Sequence, residues 1–388
     1  MSHAIQYQVP LLRKIAARSD FEMRAYFCWD YGVKKTYDVE FGREVRWDIP
    51  LLEGYSHTFL KNYSPKPSSD FWGQLNFGIV RELIRYRYDA ILLFGWNSFA
   101  NWLVFLVAPL VGTRIILHSE SPLKQELVKK PWKLMLKRIV LARLFKRVDA
   151  FLYIGQENRK FYLYYGVPET KLFFAPYAVD DERFLHEARL YKGKRDEFRE
   201  ELGIPGDAIT FLFVGKLIGK KRPLDLLRAY ERATDIVSGT HKKIALVFVG
   251  DGALRGELER YAHVHHVRDV QFAGFRNQTE LSRYYTAVDA FVLPSGLGET
   301  WGLVVNEALC FGLPVIVSDM VGCGGDLVRD KENGYLFPLG DIEKLAHCIA
   351  SIAESGERRE MFGAMSSEII KGYTQQKDVE AIVRALNS

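Results

Sequence analysis

Short apolar runs recur along the chain. In the second half they read ITFLFVG, IALVFVG, VQFAG, AFVLPS, PVIVSD and GYLFP. Each is almost wholly apolar and too short for a helix, which predicts strands buried on both faces. Between them, PLDLLRAYERATDIV and QTELSRYYTAV place apolar residues at helical spacing. Alternating strands and helices predict a parallel sheet covered on both sides, a doubly wound α/β domain over residues 207–360. The first half follows the same rhythm less cleanly. DAILLFGW, TRIILHSE, AFLYIG and KLFFAPY read as strands, preceded by FEMRAYFCWDY and YSHTFL. Between those last two lies an irregular segment, Lys34 to Gly54, long enough to expect function or mobility in it. The charged stretch from Asp180 to Asp207 ends in Pro-Gly and predicts a linker at 186–206, with a first domain at 1–185. The helical stretches of 361–388 are expected to pack back on that first domain. The chain opens on SHAIQYQ and a helix-like pattern, where a doubly wound domain should first lay down a central strand. That strand is expected to be missing; a late start and a real loss are both open.

Composition narrows the class. The chain has 388 residues, 48% apolar and 26% charged, which suits two ordinary cores and not disorder. A net charge of +5 is compatible with anionic substrates or an anionic membrane surface, and too weak to argue for nucleic acid. The four cysteines, Cys28, Cys310, Cys323 and Cys348, form no CxxC pair, so a reducing compartment without disulfides is expected. No secretory signal is read at the N-terminus. The most apolar stretch, Trp102 to Gly112, carries Pro109 and is too short to span a bilayer. It reads as a buried helix in a protein of the cytoplasm.

The candidate chemistry lies in three loops of the second half. GETWGLVVNEALCFG follows a strand and leads into a helix. It carries Glu299 in the loop and Glu307 on the helix, with Gly302 between them. Glycines there let backbone approach a ligand, and free N–H groups at the helix start suit a phosphate. Glu307 falls about one and a half turns into the helix. There an acceptor-only carboxylate suits a pair of sugar hydroxyls. On spacing alone, a solvated Glu299 and a Glu307 paired with a basic neighbour are equally good readings. FVGKLIGKKRPLDLL ends a strand at Gly215 and sets Lys216, Lys220, Lys221 and Arg222 before Pro223, a natural first helical residue. Such cations can hold a diphosphate and stabilise charge on a leaving group, or can simply form a solvated basic turn. VFVGDGALRGEL offers a loose GxGxxxG in mid-domain, a poor match to a dinucleotide fingerprint. HVHH, His263 to His266, lacks a second ligand set and reads as a solvated turn, so no metal site is expected.

These stretches resemble the group 1 family of retaining glycosyltransferases, which have the GT-B fold. The resemblance rests on FVGKLIGKKRPLDLLRAY, VGDGALRGELE, FAGF and ETWGLVVNEALCFGLPVIVSDMVGCGGDLVRDKENGYLFPLGD. It is strong over about residues 207–350, and SHAIQYQ is similar to the SHPIQYQ opening of some bacterial members. It implies two Rossmann-like domains facing across a cleft. Lys216 and Lys221 would hold the donor diphosphate, with the backbone of Gly215, Gly302 and Leu303 completing that site. Glu307 would bind the ribose, Glu299 would lie by the donor sugar, and the base would sit against Phe275 and Arg276. In the first domain, His118 at a strand end would face the donor sugar, with Glu120 beside it and His3 on the acceptor side. A satisfied buried histidine is an equal reading of His118.

The resemblance implies a metal-independent transfer with retention, from a nucleoside-diphosphate sugar, UDP-sugar favoured. The acceptor would be a saccharide or a lipid-linked one, in bacterial cell-surface polysaccharide or glycoconjugate synthesis. No cofactor and no nucleic-acid partner are expected. The basic stretch 124–147, with Trp132, Met135 and Ile139 interleaved, can lie on an anionic membrane face or can be a core helix with a solvated basic side. A nucleotide-sugar epimerase on the same scaffold, a binding protein without chemistry and an impaired transferase are the rival readings.

Overall fold

The computed structural model describes residues 1–38 and 40–388. The chain forms two compact units. The first comprises Met1–Thr36, Ile49–Tyr177 and Thr374–Ser388; the second comprises Tyr37–Asp48 and Ala178–Tyr373. From the N-terminus the strands are β1 (Arg24–Phe27), β2 (Thr36–Asp38), β3 (Arg43–Val45), β4 (Ser56–Phe59), β5 (Ala90–Phe94), β6 (Arg114–His118), β7 (Ala150–Tyr153) and β8 (Leu172–Phe174). There follow β9 (Ala208–Val214), β10 (Lys243–Val249), β11 (Val270–Gly274), β12 (Ala290–Leu293), β13 (Val315–Ser318) and β14 (Gly334–Phe337). Every run read as a strand contains one.

In the first unit the parallel pairs do not join into one sheet. β1 pairs with β4, and β5, β6, β7 and β8 form a separate four-stranded sheet. Between β1 and β5 lies a cavity of about 460 Å³, lined by Arg24, Tyr26, Ala90, Leu92 and Phe94 among others. This is the place where a central strand was expected. Met1 forms a single rung at its edge. Its amino group donates to the Tyr26 carbonyl at 2.9 Å, and its carbonyl accepts from the Cys28 N–H at 3.1 Å. Those two bonds bracket Phe27 as in a parallel ladder.

The four-stranded sheet is covered on both sides. On one face Leu11 and Ile15 from the helix Val9–Ala16 pack with Val379, Ile382 and Ala385 from the helix Gln375–Leu386. On the other, Leu83, Phe105, Leu144, Phe145 and Phe161 form the core. Arg114 fastens the last helix, donating to the carbonyls of Leu386 at 2.7 Å and Ser388 at 3.0 Å. Of residues 361–388, only the stretch from Thr374 belongs to the first unit; the helix Gly356–Ile370 belongs to the second. The stretch read as a buried helix is the helix Phe99–Val107 and a short 3₁₀ turn, with Phe105 and Ala108 buried but Leu110 83% exposed.

The second unit holds one parallel six-stranded sheet, in the order β11-β10-β9-β12-β13-β14. The order reverses between β9 and β12, so the carboxyl ends of these two strands flank the crevice where open α/β sheets bind ligands. The expected linker is helical and part of this unit, with Asp181–Leu190 and Arg195–Leu202 as its helices. Most of the charges that suggested a linker lie on the outer faces, while Phe184, Phe198 and the charged Asp181 and Arg199 are buried. The Arg199 guanidinium donates to the carbonyls of Ala287, Gly206 and Ala208 and to the Thr210 hydroxyl, which pins the second helix to the sheet.

Candidate active site

The second unit gathers its candidate residues at the crevice. β9 ends at Val214, and Gly215 (φ 152°) turns the chain toward Lys216. This turn depends on glycines elsewhere. A Cβ on Gly250 would meet the Gly215 carbonyl oxygen at 1.9 Å, and one on Gly252 would meet that of Leu217 at 2.6 Å. The first two glycines of the GxGxxxG stretch are therefore a packing device, letting the loop after β10 lie against the loop after β9. Leu217 N–H donates to the Asp251 carbonyl at 2.8 Å and Leu254 N–H to the Leu217 carbonyl at 2.9 Å. A 3₁₀ turn, Gly219–Lys221, then presents Lys220 and Lys221 before Pro223 opens its helix.

The loop after β12 meets this basic turn. Gly296 N–H donates to the Lys220 carbonyl at 2.8 Å, and the Glu299 carboxylate pairs with the Lys221 ammonium. Gly322 holds Glu299 in place: its N–H donates to the Glu299 carbonyl at 3.1 Å, and its missing side chain leaves room for Thr300. Gly302, at φ 100°, caps the helix Leu303–Cys310 in a conformation that L side chains rarely adopt. Glu307 on that helix is fully buried, and its carboxylate accepts from the Tyr285 hydroxyl at 2.6 Å. Tyr285 was not singled out in the sequence, where it reads as one more apolar position of a helix.

Lys216 does not face solvent alone. Its ammonium donates to both carboxylate oxygens of Asp38, at 3.2 and 3.0 Å, and to Glu40 at 2.7 Å. The Lys216 ammonium holds the Glu40 carboxyl below its usual range. Phe275, at the end of β11, is met edge-on by Phe41 with ring centroids 5.0 Å apart, and Arg276 reaches Glu280 at 3.2 Å. All these residues lie in the second unit.

The first unit holds the other three candidates. His118 ends β6 and is 3% exposed, between the rings of Phe94 and Tyr177. Burial pushes its pKa down to about 4, so the ring is neutral at physiological pH and offers one donor and one acceptor. Glu120 accepts from the Tyr177 hydroxyl at 2.7 Å. His3 rests against Trp29 and Tyr31 and is also held down to about 4, first by burial and then by the nearby N-terminal ammonium. The histidines of HVHH lie at a helix end, where His265 reaches Glu231 at 3.2 Å. Among the described residues no three His, Cys, Asp or Glu side chains gather as a metal site.

Comparison with known proteins matches this geometry to a family. Residues 194–368 match the family described as Glycosyl transferases group 1. That segment belongs to it. The D-inositol 3-phosphate glycosyltransferase of Thermomonospora curvata is 31% identical over 216 residues, 54% of this chain and 50% of that protein. The chain spans about half the length of the curated relatives it matches. Among solved structures, Anabaena Alr3699/HepE in complex with UDP is similar with a TM-score of 0.72, at 17% identity, over 99% of this chain and 98% of that one. The lipopolysaccharide outer core galactosyltransferase WaaB in its apo form is similar with a TM-score of 0.66, at 15% identity, over 99% and 97% of the two chains. The fold is that of the GT-B glycosyltransferases, two Rossmann-like units.

The buried His118 sets a pH dependence. The unfolded chain takes up this proton near pH 6.5, the folded chain only near 4. Its contribution to stability is complete above about pH 6.5, falls as pH drops toward 4 and is lost below. A His118→Phe variant should therefore lose less of its thermal midpoint than the parent between pH 7 and pH 4. Parallel losses in the two proteins would contradict a neutral buried ring.

Proposed function

We propose that the protein is a retaining, metal-independent glycosyltransferase that uses a nucleoside-diphosphate sugar, UDP-sugar favoured. The observation that carries this reading is the convergence of Lys216, Lys221, Glu299 and the Gly302 helix start at the ends of β9 and β12. In this assignment the two ammonium groups and the first amides after Gly302 take the diphosphate, as anion sites of this type do. Glu307, oriented by Tyr285, takes the ribose hydroxyls. Phe275 and Arg276 take the base, and Glu299 attends the sugar.

The transfer is then a substitution at the anomeric carbon. The bond from that carbon to the β-phosphate oxygen breaks, and the acceptor oxygen bonds to the same face. The acceptor's proton passes to the departing phosphate. Lys216 and Lys221 supply the positive charge that this leaving group needs, so their effect is greatest in the transition state. His118, neutral, contributes hydrogen bonds and no charge. Glu120 is assigned to substrate beside His118, and His3 to the acceptor. The match to an inositol phosphate glycosyltransferase and the likeness to a lipopolysaccharide galactosyltransferase support a saccharide or lipid-linked acceptor in bacterial glycoconjugate synthesis. An epimerase would need no acceptor, and nothing in the geometry favours it.

A contact with the membrane's inner face fits the first unit. In the helix Pro131–Phe145, Leu141, Leu144 and Phe145 turn into the core. Trp132, Met135, Leu136 and Ile139 stay 46–66% exposed at i, i+3, i+4 and i+7, an apolar stripe with the Lys133 ammonium 5.5 Å from the Trp132 ring centre. Lys130, Lys133 and Arg138 flank it, which suits an anionic lipid surface. No helix is long and apolar enough to cross a membrane.

The site is tested by thermal unfolding with UDP, GDP, ADP and NAD. One diphosphate alone should raise the midpoint, by the equivalent of about 2.7 kcal/mol at a hundredfold excess over Kd. No rise with any of them would remove the pocket. With a matched donor and acceptor, Lys216→Ala and Lys221→Ala should each lower kcat by about a hundredfold or more. Unchanged turnover in both would refute the diphosphate assignment, and loss of turnover with a chelator would refute metal independence. For the membrane contact, the parent should float with vesicles containing phosphatidylglycerol, and Trp132→Glu/Met135→Glu should not. Equal flotation would put the contact elsewhere.

A further inference from the structure

The segment Tyr37–Asp48 is set apart by its packing. The chain on either side of it belongs to the first unit, yet the segment itself is part of the second. It carries the small two-stranded sheet of β2 and β3 and lies along two parts of the candidate donor site. At one end Asp38 and Glu40 together place three carboxylate oxygens on the Lys216 ammonium, at 3.2, 3.0 and 2.7 Å. The Phe41 ring lies 4.7 Å from the same ammonium. At the other end Phe41 and Trp47 meet the Phe275 ring, and the Arg43 guanidinium stacks on it at 5.0 Å. The Arg46 carbonyl accepts from the Asn277 side-chain amide at 2.8 Å, and the Asp48 carboxylate accepts from the Thr279 N–H at 3.2 Å.

These contacts reproduce the chemistry of the ligand assigned to the same residues. Two carboxylates stand where a diphosphate would meet Lys216, and an aromatic ring stands where a base would meet Phe275. We propose that residues 37–48 are a built-in competitor for the nucleotide, a strap that occupies the donor site and that donor binding displaces. The inference rests on the assignment of Lys216 and Phe275 to the donor. One ammonium cannot serve the strap carboxylates and a diphosphate fully at once, so the two occupants exclude each other. Apparent donor affinity is then the intrinsic affinity scaled by the fraction of molecules with the strap released.

The test compares the parent with an Asp38→Asn/Glu40→Gln variant, which keeps the shape of the strap and removes its charge. Affinity for UDP, GDP and ADP is measured by calorimetry. Amide hydrogen exchange is followed in peptides covering 37–48. The double variant should bind the cognate diphosphate about tenfold more tightly, the scale of partly exposed ion pairs released together. In the parent, that diphosphate should speed exchange in 37–48. Lys216→Ala should speed it with no nucleotide present, which probes the latch without using the donor. A nucleotide that binds the double variant and not the parent would also support the strap.

Two results would overturn it. If nucleotide binds the parent, slows exchange in 37–48 and binds the double variant no more tightly, the segment is a wall of the donor site. In that case the donor assignment stands and the competitor does not. If no nucleotide binds either protein, the donor assignment fails and the strap fails with it, because removing its carboxylates opened nothing.

Discussion

Positive charge concentrated at the end of β9 is the constraint around which the second unit is arranged. Lys216, Lys220, Lys221 and Arg222 fall within seven residues, beside a sheet that is dry on both faces. Like charges this close repel unless anions stand among them. The protein supplies those anions from distant parts of the chain for the lysines, and from three residues on for Arg222. Asp38 and Glu40 come to Lys216, Glu299 comes to Lys221, and Asp225 comes to Arg222. Each of these carboxylates carries one negative charge and two acceptor oxygens, less than a diphosphate would bring to the same cations. Neutralised in this way, the basic turn can stay folded with its cations paired inside the protein.

Close backbone approach is what lets the charges gather. The loops after β9 and β10 touch at Gly250 and Gly252, and the loop bearing Glu299 touches the turn after β13 at Gly322. At each contact any side chain would strike a carbonyl oxygen. Gly250 and Gly252 of VGDG and Gly322 of GCGG, which look like ligand-binding glycines, let one loop backbone lie against another. Gly302 is of the other kind. Its left-handed backbone opens the helix start, so its role is tied directly to what the first amides face.

The strands were legible because burial on both faces leaves nearly continuous apolar runs, a signal that local sequence carries. The gap between β1 and β5 was legible for the same reason, since the first helix pattern arrived with no strand before it. Misplaced boundaries came from charge. Residues 186–206 look solvated because most of their side chains are, while a few, Phe198 and Arg199 among them, tie the helix to the rest of the unit. Tertiary partners were not legible at all. Nothing local joins Tyr285 to Glu307, and Asp38 stands 178 positions from Lys216. The irregular segment Lys34 to Gly54 could be marked as functional by its length, but not by its target.

The two histidine-bearing loops of the first unit show how burial decides chemistry that residue type leaves open. A histidine at a strand end reads equally as a cation, a base or a core ring. At 3% exposure, with aromatic rings beside it and, among the described residues, no carboxylate hydrogen-bonded to it, His118 is held neutral. The two units differ in solvation: His118 lies in a dry setting in the first, and Lys216 and Lys221 are paired with carboxylates in the second. A protein that placed its cations in the dry unit would lose their charge on folding, because burial without a partner pushes a basic group toward its neutral form.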